Sequence, residues 1–468
     1  MKKIILSTLV FITILSCKKE TEKPAEVKQL EIAAVTPELS ENAVIYEANI
    51  RQYSPEGTFN EFTKDIPKLK DLGVKILWIM PIHEIGVKNR KAKGNLSIES
   101  ITDTIEKKKY LGSPYSVRDY RNINSNYGTK EDFQNLVKTA HENGIYVILD
   151  WVANHTSWDH PWITQHPEYY THDKKGKMVA PFDWTDVAEL DYNNQNLRKA
   201  MLEDMKYWLT EFKIDGFRCD VAAEVPTDFW ENTTTELNKI KPVFMLMEAE
   251  KAELMKTAFD MQYAWEMHHV MNVIAKGERT VKTFDDLVKK NDSINQKDDI
   301  YMNFTSNHDE NSWNGTEFER MGDAAETFAA LTFTIPGMPL IYNGQEYDLN
   351  KRLKFFEKDT IPHTVGKMMG VYQKLAKLKS ENPALNGGKN PASYKRILTS
   401  NDLKILAFER EKSGNKIIFL SNLTKTNTIL NVPIEGVFID YMSGQKIAFV
   451  KNQKLKFKPW EYKILIAE

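Results

Sequence analysis

Four acidic residues each follow a short apolar segment of the chain, at the point where a buried β-strand would end. They are Asp150, Asp220, Glu248 and Asp309. About one strand and one helix separate Asp220 from Glu248, and about two such units separate Glu248 from Asp309. If the apolar segments are parallel strands of one barrel, their carboxyl ends lie on one face and the four carboxyl groups meet there.

Paired carboxyl groups on neighbouring strand ends suit the hydrolysis of glycosidic bonds. One carboxylate acts as nucleophile or base and the other as proton donor, ~5 Å apart for retention or ~6.5–9.5 Å apart for inversion. Arg218 lies two residues before Asp220, so on a strand the two side chains point to the same face. This cation predicts an ionised Asp220 with a lowered pKa, which suits a nucleophile. Glu248 follows the apolar residues 245–247, a setting that predicts a raised pKa and a protonated acid.

Taken singly, an acid after an apolar segment is more often a helix N-cap or a solvated loop residue than a catalytic group. A lone histidine is likewise more often structural, but His155 and His308 each lie close to one of the four acids in the sequence. A catalytic site is favoured here because these residues occur together, at the spacing of repeated strand–helix units.

The elements that would position these residues form a regular pattern. Apolar, strand-like segments alternate with segments of helical periodicity from about residue 44 onward. Helices are predicted at residues 59–72, 130–143, 197–213, 227–238 and 255–271, and strands at 75–81, 145–149, 216–219 and 243–247. Continuous apolar strands between helices indicate a parallel sheet covered on both faces. Six to eight such units within residues 41–385 predict an α/β fold of the (β/α)8 TIM-barrel type rather than an open sheet.

Three segments depart from this pattern. Residues 156–188, after the third strand, are predicted to form a small inserted subdomain whose aromatic residues line the site; these are Trp158, Trp162, Tyr169, Tyr170 and Trp184. The lysines of residues 88–93 and 107–109 are predicted to be solvated charges in a long loop, and contacts with the rim of the substrate site are the alternative. Residues 390–468 contain short alternating segments separated by Asn and Gly turns, which predicts a C-terminal antiparallel β-sandwich.

The N-terminal residues 1–17 are predicted to be a lipoprotein-type signal peptide. Lys2 and Lys3 precede an apolar run that is shorter than the ~20 residues a membrane-spanning helix needs. Residues 14–17 resemble a bacterial lipobox, which predicts export and a lipid anchor on Cys17 in the outer membrane, facing either the periplasm or the outside. An ordinary cleaved signal peptide is the alternative. Residues 18–40, rich in Lys, Glu and Pro, are predicted to be a flexible tether.

Composition excludes several classes of protein. The 468 residues are 41% hydrophobic and 27% charged, as in soluble globular proteins, and the formal net charge is −2. Because nucleic-acid-binding proteins generally carry a basic excess or patch, such a partner is not expected. With 2 cysteines there is no disulfide framework, and Cys219 is predicted to be an inert core residue.

Six motifs, taken in order, resemble those of the α-amylase superfamily of glycoside hydrolases, family 13. They are YSVRDY at residues 115–120 with YGT at 127–129, DWVANH at 150–155, GFRCD at 216–220, FMLME at 244–248, SNHD at 306–309 and PGMPLIYNGQE at 336–346. The resemblance extends from about residue 44 to the C-terminus. It implies a TIM barrel with an insertion after its third strand and a C-terminal β-domain.

The resemblance also implies roles for individual residues. Asp220 would be the nucleophile that forms a glycosyl-enzyme, and Glu248 would be the general acid/base. Asp309 would bind sugar hydroxyl groups and help to distort the ring. The remaining predicted substrate-binding residues are Tyr115, which would stack on the sugar, and His155, Arg218 and His308. Asp150 would support these residues rather than take part in the chemistry.

The implied activity is that of a retaining hydrolase of α-glucosidic bonds in starch or maltooligosaccharides, with endo-α-1,4 cleavage favoured. The alternatives are an α-glucan transglycosidase, a cyclomaltodextrinase or neopullulanase-like enzyme, and a non-catalytic glycan-binding protein. No cofactor is expected for the chemistry. A structural calcium ion near Asn154 and Glu189 stays open, because residues 221–224 read VAAE where many amylases have a Lys-His pair.

Overall fold

The structure is a computed structural model that describes residues 32–36 and 41–467 of the 468-residue chain. The predicted signal peptide, Cys17 and most of the predicted tether lie outside the described residues. Val35 is buried and belongs to the same apolar cluster as Ala43 and Ile45 at the start of the first barrel strand. Among the described residues, no helix is both long enough and apolar enough to cross a membrane.

Within residues 41–467, eight parallel strands close into a barrel, as the sequence predicts. Their bounds are β1 Ile45–Ala48, β2 Ile76–Ile79, β3 Tyr146–Trp151, β4 Gly216–Cys219, β5 Phe244–Met247, β6 Met261–Tyr263, β7 Ile300–Asn303 and β8 Met338–Tyr342. Ile45 of β1 pairs with Leu340 of β8 and with Ile76 of β2, which closes the ring. The carboxyl ends of all eight strands therefore surround one opening.

Side chains alternate between the inside and the outside of the barrel. Ile76 and Trp78 of β2 belong to the cluster inside the ring, whereas Leu77 and Ile79 pack outward against the helices. Both faces of each strand are buried, which explains why the strands read as continuous apolar runs.

Helices cover the outside of the barrel. The main ones are Ile66–Leu72, Lys130–Glu142, Gln195–Glu211, Thr227–Asn238, Ala252–Met255, Trp265–Lys276, Val281–Ile294, Ala325–Thr334 and Lys367–Glu381. A capping box at Thr129 and Asp132 fixes the start of the second, and Gly73 ends the first in a left-handed conformation with φ 93°.

Two of the predicted helices differ from the structure. Residues 59–72 form the two helices Phe59–Thr63 and Ile66–Leu72, because Pro67 has no N–H to continue the hydrogen bonding of the first. Residues 255–271 contain the strand β6 and only the start of a helix. A three-residue strand buried on both faces has no alternation, so its pattern cannot be distinguished from that of a buried helix.

The insertion after β3 contains a two-stranded sheet, His155–Ser157 paired with Val187–Glu189, and a short helix, Trp162–Gln165. The long connection after β2 contains the strand His83–Ile85, which pairs with Val117–Ile123, and the short helix Thr104–Lys107. These connections rise above the carboxyl ends of the strands, where they border the opening of the barrel.

The C-terminal part is an antiparallel β-domain, as predicted. Among the described residues it has a six-stranded and a two-stranded sheet built from Ser393–Arg396, Ile405–Lys412, Asn415–Asn422, Thr428–Asn431, Gly436–Asp440, Gln445–Phe449, Lys454–Phe457 and Tyr462–Ala467. The buried Arg410 donates to the backbone oxygen of Thr334, at the end of a barrel helix, so the domain is joined firmly to the barrel.

Candidate active site

A cavity of about 480 Å³ opens at the carboxyl ends of the barrel strands. It is lined by Lys91, Ser113, Tyr115, His155, Asp183, Trp184, Asp186, Val187, Asp220, Val221, Glu248, His308, Asp309, Trp313, Phe355 and Phe356. Six of the seven residues predicted for the site are among them. The seventh, Arg218, is fully buried beneath the cavity floor.

Arg218 connects three of the four acids that the sequence singles out. Its Nη1 donates to Oδ1 of Asp150 at 2.8 Å and to Oδ1 of Asp220 at 3.1 Å. Its Nη2 lies 2.9 Å from Oε2 of Glu248, and its Nε donates to the hydroxyl of Tyr263 at 3.0 Å. Burial lowers the pKa of Arg218, but the neighbouring carboxylates outweigh burial and raise it, so the guanidinium stays charged.

The predicted lowering of the pKa of Asp220 is wrong. Burial and the nearby Glu248 raise the pKa of Asp220 well above its usual value, and Arg218 only opposes them. The prediction paired Arg218 with Asp220 alone. In the structure, the single guanidinium of Arg218 contacts the carboxylates of Asp150, Asp220 and Glu248. Asp220 and Glu248 therefore titrate as a coupled pair.

Glu248 has the raised pKa that the sequence predicts, with burial as the largest cause. Its Oε2 accepts a hydrogen bond of 2.9 Å from the backbone N–H of Val221. Val221 has φ 37°, a left-handed conformation that is strained for a β-branched residue. In this conformation its backbone N–H donates to Glu248. Asp220 and Glu248 contact adjacent amino groups of one guanidinium, so the two carboxyl groups are neighbours on the same side of the cavity.

His308 lies in a chain of hydrogen bonds across the cavity floor. Its Nδ1 is 2.5 Å from Oε1 of Glu47, and its Nε2 is 2.8 Å from the hydroxyl of Tyr115, which donates to Oδ2 of Asp150 at 2.9 Å. Burial lowers the pKa of His308, but the carboxylates of Asp309 and Glu47 outweigh burial and raise it to about 9. His308 is therefore a cation at neutral pH, with both ring nitrogens as donors.

Glu47 is a site residue that the sequence analysis missed. It is fully buried in β1, an otherwise apolar strand, and its side chain reaches His308 across the inside of the ring. The sequence does contain a signal for Glu47, because an acidic residue within an otherwise apolar strand must have a polar partner when it is buried. Its partner, His308, lies in the segment that follows β7, far away in sequence, so only the closed barrel brings the two together.

Asp309 and His155 both face the cavity, but Asp309 is partly exposed and His155 is buried. The side chain of Asp309 is 35% exposed and has Oδ2 at 3.5 Å from Nε2 of His308. His155 is buried, and burial lowers its pKa to about 4, so it is neutral at pH 7. Asp309 thus supplies an acceptor and His155 an uncharged polar group to a ligand.

The aromatic wall predicted for the insertion is largely wrong. Among its five aromatic residues, Trp184 lines the cavity, packing edge-on against His155 at 5.4 Å. The others, Trp158, Trp162, Tyr169 and Tyr170, pack against the core outside the barrel. The aromatic lining comes instead from Trp313, Phe355 and Phe356, which lie in the connections after β7 and β8.

Lys91 also differs from its prediction as a solvated charge. It is 6% exposed, lines the cavity, and has Nζ at 3.6 Å from Oδ1 of the buried Asp186. Cys219 is buried as predicted, and burial raises the pKa of its thiol, which keeps it unreactive.

The residues considered for calcium, Asn154 and Glu189, lie at the base of the insertion, where His155 pairs with Glu189. The side-chain nitrogen of Asn154 is 3.4 Å from Nδ1 of His155, and its backbone oxygen accepts from Leu190. Burial, followed by the carboxylates of Glu224 and Asp191, raises the pKa of Glu189. Within residues 32–36 and 41–467, no cluster of three or more His, Cys, Asp or Glu is placed to hold a metal ion.

Comparisons with known proteins agree with this geometry. Residues 39–187 and 171–384 match the family described as alpha amylase, catalytic domain. The chain is 28% identical over 427 residues to an alpha-1,4-glucan:maltose-1-phosphate maltosyltransferase of Picrophilus torridus, covering 85% of this chain and 64% of that protein. It is 25% identical over 488 residues to alpha-amylase 3 of Dictyoglomus thermophilum, covering 88% and 90%. The chain thus spans less than two thirds of the maltosyltransferase but most of the amylase.

Two solved structures are similar over nearly their whole length. A maltogenic alpha-amylase from Thermotoga neapolitana has a TM-score of 0.81 and 29% identity, covering 91% of this chain and 98% of that one. An alpha-amylase from Lactobacillus plantarum has a TM-score of 0.80 and 30% identity, covering 92% and 99%. The barrel and the C-terminal β-domain both fall within the regions compared.

Proposed function

We propose that this chain, which belongs to the alpha-amylase family of glycosidases, hydrolyses α-1,4-glucosidic bonds of maltooligosaccharides by a retaining double displacement. The observation that carries the proposal is the contact of Asp220 and Glu248 with adjacent amino groups of the buried Arg218. The two carboxyl groups are thereby held close together at one side of a cavity whose other polar groups are arranged for a sugar.

In the first step, a carboxylate oxygen of Asp220 attacks the anomeric carbon while Glu248 donates its proton to the leaving glycosidic oxygen. The bond to the leaving chain breaks as the bond to Asp220 forms. In the second step, Glu248 takes a proton from water, whose oxygen attacks the same carbon and releases Asp220. Burial raises the pKa of both carboxyl groups, and the reaction requires the proton on Glu248 and an ionised Asp220.

The remaining residues hold the sugar on the non-leaving side. Asp309 accepts hydrogen bonds from sugar hydroxyl groups, and its Oδ2 lies 3.5 Å from Nε2 of His308, which helps to hold the side chain in place. The ring of Tyr115 offers an apolar face. Its hydroxyl is held by Asp150 and His308, so the ring position is fixed before the substrate binds.

Product analysis on maltoheptaose tests this proposal. We expect shorter maltooligosaccharides whose new reducing ends are first released as the α-anomer, which proton NMR during the first minutes resolves from later mutarotation. Initial release of the β-anomer would contradict the double displacement. Products longer than maltoheptaose would assign the enzyme to transfer, an activity named for the relative from Picrophilus torridus. Absence of turnover would support the glycan-binding alternative.

We further propose that the protein is exported and anchored by a lipid on Cys17. Two lysines, an apolar run and the lipobox-like residues 14–17 support this proposal. In bacterial cells, the Cys17→Ser variant is expected to lose incorporation of a labelled fatty acid and to leave the membrane fraction. Equal labelling of the two forms would contradict a lipid on this residue.

A further inference from the structure

Two loops meet above the carboxyl end of β1 and form one side of the cavity. They are residues 86–114, which follow β2, and residues 348–366, which follow β8; together they are called the loop wall. The backbone N–H groups of Leu111 and Gly112 donate to the oxygen of Phe356 at 2.7 and 3.2 Å. Tyr110 and Glu357 form an isolated antiparallel bridge beside them. The loops are therefore paired through their backbones.

The loop wall has a small apolar core of its own. Ala92, Ile98, Tyr110 and Phe356 are buried together, separately from the cores of the barrel. Phe355 packs against this core and also stacks parallel to the ring of Tyr115, with ring centroids 6.3 Å apart. The wall thus extends directly from the sugar-binding ring of the catalytic centre.

Two residues that follow β1 hold the loop wall from below. Arg51, which is buried, donates from Nη1 to the oxygen of Gly112 at 3.0 Å and from Nη2 to the oxygen of Phe355. Gln52 donates to the backbone oxygens of Lys354 and Glu357 at 2.6 and 3.0 Å. These hydrogen bonds use backbone carbonyls of both loops, so the wall is fixed to the barrel.

On its other side the loop wall is joined to the insertion after β3. The N–H of Val87 donates to Oδ2 of Asp159 at 3.1 Å. Lys91 and Asp186 face each other at 3.6 Å, and each side chain is 7% exposed. A continuous wall therefore borders the cavity from the connection after β8, across β1 and β2, to the insertion.

The proton donor lies on the opposite side of the ring. Glu248 follows β5, and in a closed ring of eight strands β5 is diametrically opposite β1. A general acid must lie beside the oxygen that departs, so the leaving chain extends on the β5 side. The part of the substrate that stays attached to Asp220 then points towards the loop wall.

We propose that the loop wall closes the end of the site that receives the non-reducing end of the substrate, so the enzyme releases short units from chain ends. This inference deepens the proposed hydrolase function and rests on it, and it replaces the endo cleavage that the family resemblance favoured. The cavity of about 480 Å³ is in the range of pockets that enclose a small ligand. Phe355 and the half-exposed Trp313 supply the apolar surface that faces such a short chain end.

A pair of substrates tests the inference on the wild-type enzyme. One is maltoheptaose with a chromophore at its reducing end, and the other is the same compound with a 4,6-O-ethylidene group on its non-reducing glucose. We expect kcat/KM to be lower for the blocked compound by about 100-fold or more, because its end cannot be seated. Equal rates on the two compounds would overturn the inference and leave the hydrolase function intact. Failure of both would overturn the hydrolase function, and the inference with it.

Variants of the loop wall give a second test. Phe356→Ala removes a buried aromatic ring of the wall core and is expected to raise kcat/KM on the blocked compound by about 10-fold relative to wild type. Ile105→Ala, in the other loop of the wall, is the matched control, because Ile105 is 77% exposed and outside the wall core; it should change neither rate. A Phe356→Ala enzyme that cleaves the free compound but gains nothing on the blocked one would contradict the role of the wall.

Discussion

Replacement of Asp220 by asparagine is expected to lower kcat on maltoheptaose by on the order of 10⁴-fold or more, as loss of a nucleophile does in enzymes of covalent mechanism. Asparagine has the size of aspartate, but its neutral amide oxygen does not displace a glycosidic oxygen. The variant should still bind substrate, since Tyr115, His308 and Asp309 are unchanged. Steady-state rates, together with binding of maltoheptaose measured by calorimetry, check both parts.

Thermal stability separates loss of chemistry from loss of folding in this variant. Because burial and Glu248 raise the pKa of Asp220, its ionised form destabilises the fold, and removing that charge should raise Tm by about a few degrees. Asp323→Asn, at an exposed position in the short turn 322–324, is the matched control and should behave as wild type. An Asp220→Asn enzyme that is folded and retains a tenth of the wild-type rate would rule out Asp220 as the nucleophile.

Replacement of Glu248 by glutamine is expected to lower kcat on maltoheptaose by about 10²- to 10⁴-fold, the usual contribution of a general acid. A maltosyl fluoride needs little help from an acid, because fluoride departs without a proton. On this substrate the variant should form the glycosyl-enzyme on Asp220 but hydrolyse it slowly, since no base activates water. Intact-protein mass spectrometry should then detect the added maltosyl group, which Asp220→Asn should never show.

The pH dependence of Glu248 follows from its raised pKa. The protonated acid persists above the usual range for glutamate, and kcat/KM on maltoheptaose should fall only as the pH rises through the raised value. In Glu248→Gln this alkaline limb should be absent. A limb of unchanged position in the variant would mean that another group is the proton donor.

Strand-end residues could be predicted from the sequence because their positions depend on local patterns. An apolar run followed directly by an acid marks the end of a buried strand, and this pattern placed Asp220 and Glu248 at one opening. The charge state of Asp220 could not be predicted in this way. The charge state of Asp220 depends on the fact that Arg218 contacts three carboxylates at once, and two of these are contributed by other strands.

Features that depend on long-range contacts were also missed. Lys91 reads as one of several loop lysines, and only the approach of the insertion buries it against Asp186. Likewise β6 has three residues and pairs with β5 and β7 through contacts that no local periodicity records. Glu47 contacts His308 because the ring closes between β8 and β1. The two residues are far apart in the sequence, so no local pattern indicates this contact.

The separate apolar core of the loop wall bears on how such an enzyme diverges. Ala92, Ile98, Tyr110 and Phe356 contact one another rather than the cores of the barrel, so insertions or deletions in these two loops need not disturb the carboxylates around Arg218. Proteins that descend from one ancestral barrel can therefore differ in the loop wall that borders the cavity while their catalytic residues stay the same. Substrate length and bond-breaking chemistry are then free to evolve at different rates within the same chain.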